Sequence, residues 1–414
     1  MSITRRTVLR GAGLAATPLL VGSKTHHPTS RFGGEDSPTP EPVARDRFDP
    51  WVEVVGKNLA NGVREVGRLS GNRPILAVVK NNAYGLDLAA AGQILQAEAG
   101  VLGFAVVKGE EALTLRSAGI RKPILLMGMF SEEEGRELAE AHVEFGVFTG
   151  DAAQRLLPLA RAKGSPVSVH FYLDTGMGRM GMPYRDALPW MEELSGHPEI
   201  NVKGTFTELG EDPDFDKEQL QRFNALTRAA RSAGIETGQL HAAASNGVFH
   251  LPQGHLDMVR PGIALFGSYP SRPAEERELA TLHSALRLKA RVVRIAHLQA
   301  GDGVGYGRPW VAEKPAWVAT LPVGHADGYP REAVDGAQVL IRDRLFPVIG
   351  AVSASHCIVR IGDQRMVEVG DEVVLMGPDH PELEPSAMAE ALNVSVYDLL
   401  MHVNPSLPRM VVEE

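Results

Sequence analysis

The first residue with chemistry to offer is a lysine at the end of an apolar run. Ala77-Val78-Val79-Lys80-Asn81-Asn82-Ala83-Tyr84-Gly85 continues a β-branched stretch that begins at Ile75 and reads as a buried strand; Lys80 stands where that strand gives way to a loop of small residues. Burial against such a strand depresses the pKa of an amine and frees the neutral nucleophile. The plain alternative is a lysine that lays its stem along the strand end and keeps its ammonium in water. Cys357 beside His356 has the residue types of a thiol nucleophile, but it falls in an apolar strand-like run where a cysteine serves as a small buried residue.

Lys80 needs a frame to hold it. Trp51-Val52-Glu53-Val54-Val55 alternates like a strand, residues 58–69 have helical spacing, and the pattern then repeats. Strands are predicted at 75–79, 102–106, 123–127, 144–148, 167–173, 202–207, 238–241 and 257–259, with helices between them such as 132–139 and 215–233. This alternation predicts a closed (β/α)8 TIM-like barrel, a fold that keeps its chemistry at the C-terminal ends of its strands. An open doubly wound sheet is the alternative, but no Gly-x-Gly-x-x-Gly turn follows the first strand. From Leu286 the rhythm changes to short strand-like runs at 288–295, 316–321, 339–341, 347–353 and 372–375, closed by helical segments at 386–392 and 396–401. The expected organisation is a barrel over 49–280 and a smaller, mostly-β domain over 281–414.

The chain of 414 residues is 44% hydrophobic and 22% charged, enough for two domains. Forty-two basic against 51 acidic side chains give a formal charge of -9, with no basic block beyond the first residues, so nucleic acid is excluded as an expected partner. One cysteine rules out a disulfide framework and a cysteine-based metal site, and no metal is expected. Thr4-Arg5-Arg6-Thr7-Val8-Leu9-Arg10 and the weakly apolar stretch to Gly22 look like a twin-arginine export signal over 1–24, too short for a membrane span. Residues 25–48, rich in Pro, Ser, Asp and Glu, read as a disordered tether. The expected location is therefore periplasmic or otherwise extracytoplasmic.

Taken in order, the motifs resemble the alanine racemase family of fold-type III pyridoxal phosphate enzymes. The stretch around Lys80 is similar to that family's cofactor-lysine signature, Asp174-Thr175-Gly176-Met177-Gly178-Arg179-Met180-Gly181 to its arginine loop, and Met258-Val259-Arg260-Pro261-Gly262-Ile263-Ala264-Leu265-Phe266-Gly267 to a further motif. Val304-Gly305-Tyr306-Gly307 and Gly324-His325-Ala326-Asp327-Gly328-Tyr329-Pro330-Arg331 continue the series. The resemblance implies pyridoxal 5'-phosphate as cofactor, an amino acid as substrate and a homodimer. It assigns two opposed bases, Lys80 and the phenol of Tyr306 from a partner subunit. A free phenol titrates near about 10, so Tyr306 needs a cation beside it, the part Arg179 takes near the substrate carboxylate. Arg260 would face the pyridine nitrogen, which a guanidinium cannot protonate. Tyr84, Ser245, Tyr397 and the backbone of Gly262 and Ile263 would cradle the phosphate. Amino-acid decarboxylases on the same barrel and a non-catalytic homologue that binds the cofactor or D-amino acids are the alternatives.

The departures from the family's pattern bear on substrate. Glu208 stands where the family has the histidine that stacks on the cofactor ring, and Tyr172 where a carbamylated lysine often braces the arginine loop. His325 replaces a tyrosine at the substrate entrance; imidazoles titrate near neutrality, so entry is expected to depend on pH. Ala354-Ser355 replaces the Met-Asp pair that borders the substrate, which should enlarge the pocket, remove negative charge and widen the substrate range beyond alanine.

Overall fold

The computed structural model describes residues 47–271 and 273–413; the export-signal segment and all but the end of the tether lie outside the described residues. Seven strands, Ile75–Val78, Val101–Val106, Ile124–Leu126, Glu144–Val147, Val167–Asp174, Ile200–Thr207 and Gln239–His241, lie side by side in chain order, each parallel to the next. The stretch expected as an eighth strand is irregular, yet it closes the ring. Asp257 N–H donates to Leu240 O (3.0 Å), Leu76 N–H to Val259 O (2.9 Å) and Val78 N–H to Pro261 O (2.9 Å). Pro261 lacks an N–H, so it accepts from Val78 but donates nothing, and the stave forms a single bridge, Ile75 with Val259, rather than a regular strand. Helices cover the outside, which is why these strands read as apolar runs without alternation.

The second domain is built on a nine-stranded sheet in the order Arg294–Leu298, Ala316–Leu321, Cys357–Gly362, Arg344–Ile349, Gln338–Ile341, Glu372–Met376, Leu286–Arg291, Trp51–Val55, Arg409–Val412. The run expected as one strand at 288–295 is two, separated at Val292 and Val293. Trp51–Val55, which the alternation groups with the barrel, pairs instead antiparallel with Leu286–Arg291 and parallel with Arg409–Val412. The reason lies in Glu53: its buried carboxylate meets Arg287 at 2.7 Å and Lys289 at 3.1 Å on the neighbouring strand, partners that the barrel does not offer. The chain thus starts in the β domain, builds the barrel and returns. A small hairpin, Gly303–Val304 with Trp310–Val311, carries Tyr306 at its turn. Among the described residues no helix is long and apolar enough to cross a membrane.

One carboxyl at the seam between the two parts titrates unusually. Glu384 precedes the helix Pro385–Leu392, accepts a hydrogen bond from Ser284 N–H (2.9 Å), and is pushed up to about 7 by burial, with Asp379 adding to the rise. The folded chain therefore holds this proton at pH values where the unfolded chain, titrating near 4.5, has released it. Protons are bound preferentially by the folded state in that window, so stability falls as pH rises through it, by at most about 1.4 kcal/mol per pH unit. Thermal melts between about pH 5 and about pH 7 should record a falling Tm. Glu384→Gln, which keeps an oxygen for Ser284, should flatten the slope; an unchanged slope would refute the assignment.

Candidate active site

Lys80 follows the wholly buried strand Ile75–Val78 by two residues. Beyond it the backbone turns in the left-handed sense: Asn81, Asn82, Ala83 and Tyr84 have φ of 54°, 54°, 54° and 55°, and Gly85 follows at 84°. Each non-glycine residue in that region costs about 1–2 kcal/mol, so tertiary contacts must hold the turn. Asn81 N–H donates to the Glu111 carboxylate, and Asn82 Oδ1 accepts from Leu88 N–H (2.9 Å). At Gly85 a Cβ would lie 2.1 Å from Leu400 O, so only glycine permits that approach. The turn carries Tyr84 into the core against Phe266, with ring centroids 5.0 Å apart.

Lys80 opens on a cavity of about 600 Å³ at the C-terminal ends of the barrel strands. Tyr84, Arg179, Ser245, Arg260, Gly262 and Tyr397 also line it, so the structure gathers these sequence-predicted residues in one place. Ile263 is the exception among the cradle residues: it opens the turn Ile263–Phe266 with its side chain in the core, and only its backbone adjoins Gly262. Ser245 Oγ accepts from Gly262 N–H (2.9 Å) and Ala264 N–H (3.3 Å), and a Cβ on Gly262 would sit 2.0 Å from Tyr84 Oη. Hydroxyls and backbone amides therefore converge around a glycine. Burial raises the phenols of Tyr84 and Tyr397, which keeps both protonated as donors.

Arg260 is 1% exposed. Its NH1 donates to His241 Nδ1 (3.0 Å), and its NH2 donates to Thr207 O (2.8 Å) and pairs with Glu208 Oε2 (3.3 Å). The carboxylate at the unusual position 208 thus balances the buried guanidinium. An aromatic stack runs inward from the cavity wall: Tyr172, which lines the cavity, stacks on Phe206 (4.2 Å between centroids) and Phe206 on His241 (5.0 Å). Burial raises the Tyr172 phenol, while Arg260 and Arg179 pull the other way, Arg179 also as a hydrogen-bond partner. Beside Arg179 the chain thus offers the Tyr172 phenol rather than a carboxylate.

Tyr306, His325, Ala354 and Ser355 are not among the residues lining this cavity. Tyr306 is 90% exposed, and Gly305 (φ 79°) and Gly307 (φ 73°) flank it. Ala354 and Ser355 are exposed on a loop tied to the next, since His325 N–H donates to Ser353 O (3.0 Å) and Ala326 N–H to Ala354 O (3.0 Å). Arg331 donates to His325 Nε2 at 2.8 Å, so that nitrogen carries no proton. Cys357 is wholly buried with its thiol pushed up to about 12 by burial, a structural residue. Sequence reasoning missed Glu211, which also lines the cavity and whose carboxyl is raised by burial and by Glu208 and Asp216. It also missed His241 as a site residue, although that histidine stands four places before Ser245.

What such a cavity holds follows from its donors. Hydroxyls around a glycine suit a phosphate, a strand-end amine suits an aldehyde carbon, and a buried guanidinium suits a ring nitrogen that is to stay bare. On this barrel they define a pyridoxal-phosphate-dependent enzyme.

Two family models match the chain, "Alanine racemase, N-terminal domain" over residues 56–270 and "Alanine racemase, C-terminal domain" over residues 285–411. The alanine racemase of Carboxydothermus hydrogenoformans is 36% identical over 373 residues, covering 87% of this chain and 99% of that protein. That of Desulforamulus reducens is 32% identical, with 87% and 98% covered. Among solved structures, alanine racemase from Clostridium difficile 630 superposes with a TM-score of 0.81 at 28% identity, covering 88% of this chain and 96% of that one. Alanine racemase from Streptomyces coelicolor A3(2) does so with the same score and identity, at 88% and 98%. The chain belongs to the alanine racemase family.

Proposed function

We propose that this chain is an exported amino-acid racemase, acting on alanine and on larger amino acids, that works as a homodimer in which each cavity receives Tyr306 from a second copy. One observation carries the proposal. The amine, two guanidiniums and hydroxyl cradle share a cavity, whereas the second base stands 90% exposed on a glycine-flanked turn outside it. So exposed an aromatic side chain suits an interface.

Pyridoxal phosphate, when bound, draws electrons from the Cα of the amino acid and so makes the Cα–H acidic. Lys80 Nζ would hold the cofactor, and its free amine would take or return the Cα proton on one face. The phenol of Tyr306 does the same on the opposite face. Arg179 holds the substrate carboxylate and keeps its charge near that phenol. Arg260 cannot release a proton, so it would leave a ring nitrogen facing it bare and favour return of the proton over other outcomes. Ser245, Gly262, Tyr84 and Tyr397 hold the phosphate end.

Substrate range follows from the entrance. Alanine at 354 and serine at 355 leave room and remove a carboxylate beside His325, so lysine, arginine, methionine and serine should be racemised within about tenfold of alanine. A chiral assay of periplasmic and cytoplasmic fractions over that panel tests range and location together. Activity on alanine far above the rest sinks the first, and activity confined to the cytoplasm sinks the second. The double substitution Ala354→Met with Ser355→Asp should narrow the range toward alanine.

A further inference from the structure

Behind Arg260 runs a line of buried polar groups that the racemase reading does not use. His241 Nε2 lies 3.0 Å from His170 Nδ1, and His170 Nε2 lies 2.9 Å from Glu144 Oε2, so that four side chains from four staves connect the cavity wall to the start of the strand Glu144–Val147. His241 is 0% and His170 3% exposed. Room for the second imidazole exists because the facing strand has Gly204, where a Cβ would lie 2.5 Å from His170 Nδ1.

Only one proton arrangement satisfies this line. A guanidinium can only donate, so His241 Nδ1 must accept and its Nε2 must carry the hydrogen. That N–H donates to His170 Nδ1, which leaves the His170 hydrogen on Nε2, facing a carboxylate that can only accept. We infer that Glu144 and His170 are positioning residues for Arg260, fixing both histidine tautomers so that the guanidinium is locked in the plane it presents to the cavity. A donor-only group at one end and an acceptor-only group at the other make the relay directional; burial and the neighbouring Arg260 charge hold His241 neutral. Loss of the acceptor leaves an unsatisfied N–H deep in the barrel, and the rings reorient to relieve it. Arg260 NH1 then loses its fixed acceptor, and only NH2 stays tied, to Thr207 O and Glu208.

The inference rests on the cavity being the cofactor site, but its first test does not. Nitrogen NMR of ¹⁵N-histidine-labelled protein, with and without added pyridoxal phosphate, should find His170 and His241 both bare at Nδ1 and protonated at Nε2. His170→Gln and His241→Gln assign the signals. A ring protonated at Nδ1 or at both nitrogens overturns the relay. The second test compares variants by cofactor affinity and kcat. Glu144→Leu should weaken cofactor binding and lower kcat by about tenfold each, with the KM for alanine nearly unchanged. Glu144→Gln, whose amide oxygen still accepts, should stay within about threefold. Gly204→Ala, which crowds His170 and removes no polar group, should resemble Glu144→Leu. A wild-type Glu144→Leu, or a Glu144→Gln equally damaged, overturns the inference. If the wild-type chain binds no pyridoxal phosphate while the tautomers are as stated, the functional reading fails and the relay stands.

Discussion

Replacing Lys80 with alanine is expected to abolish racemisation, with a loss of at least about 10³-fold, and to remove the near-visible absorbance of the bound cofactor. The fold should survive. Lys80 is half-buried at the cavity, and the contacts that hold the turn after it come from Asn81, Asn82 and Gly85 rather than from its side chain. Circular dichroism and a melt within a few degrees of wild type, about 1 kcal/mol or less, separate this loss from unfolding. Retained racemisation in a folded Lys80→Ala protein would refute the mechanism outright, because among the described residues no other amine lines the cavity.

Tyr306→Phe is expected to lower kcat by about 10²–10⁴-fold while cofactor binding and its absorbance stay intact. The substitution removes one hydroxyl from an exposed turn, so the monomer gains and loses almost no stability. Its sharper use is in mixture with the first variant. If each cavity takes Lys80 from one copy and Tyr306 from the other, heterodimers of the two inactive proteins contain one site with both bases. Co-refolded at equal amounts, the pair should recover about a quarter of wild-type activity. No recovery, with heterodimers demonstrated, would mean that both bases come from one chain.

The fold was largely legible because apolar runs and helical spacing repeat with a barrel's rhythm. What could not be read was partnership. Trp51–Val55 alternates like any strand, and its partners, Leu286–Arg291 and Arg409–Val412 with the Glu53 ion pairs to Arg287 and Lys289, lie more than 200 residues further along the chain. The stretch expected as a strand at 257–259 does lie where the ring closes, but it makes a single bridge, Ile75 with Val259, rather than a regular strand. In the site, motif order located Lys80, Arg179, Arg260, Ser245 and Tyr397. Motifs describe what touches a ligand, so they are silent on what stands behind: Glu144 has no local signal at all. Position 208 was flagged as odd, and the structure supplies its partner in Arg260.

The left-handed turn after Lys80 has a consequence for when, during synthesis, the site comes into being. Its closing contacts lie near the end of the chain: Leu400 O packs on Gly85, and the Arg409 guanidinium donates to Gly85 O (2.9 Å) and Leu86 O (2.8 Å). A nascent chain that has emerged only as far as the barrel has the bonds to Glu111 and Leu88 but still lacks this C-terminal half of the clasp for a backbone that sterics oppose. Lys80, early in the fold, thus stands beside a turn whose last contacts arrive only near the end of synthesis.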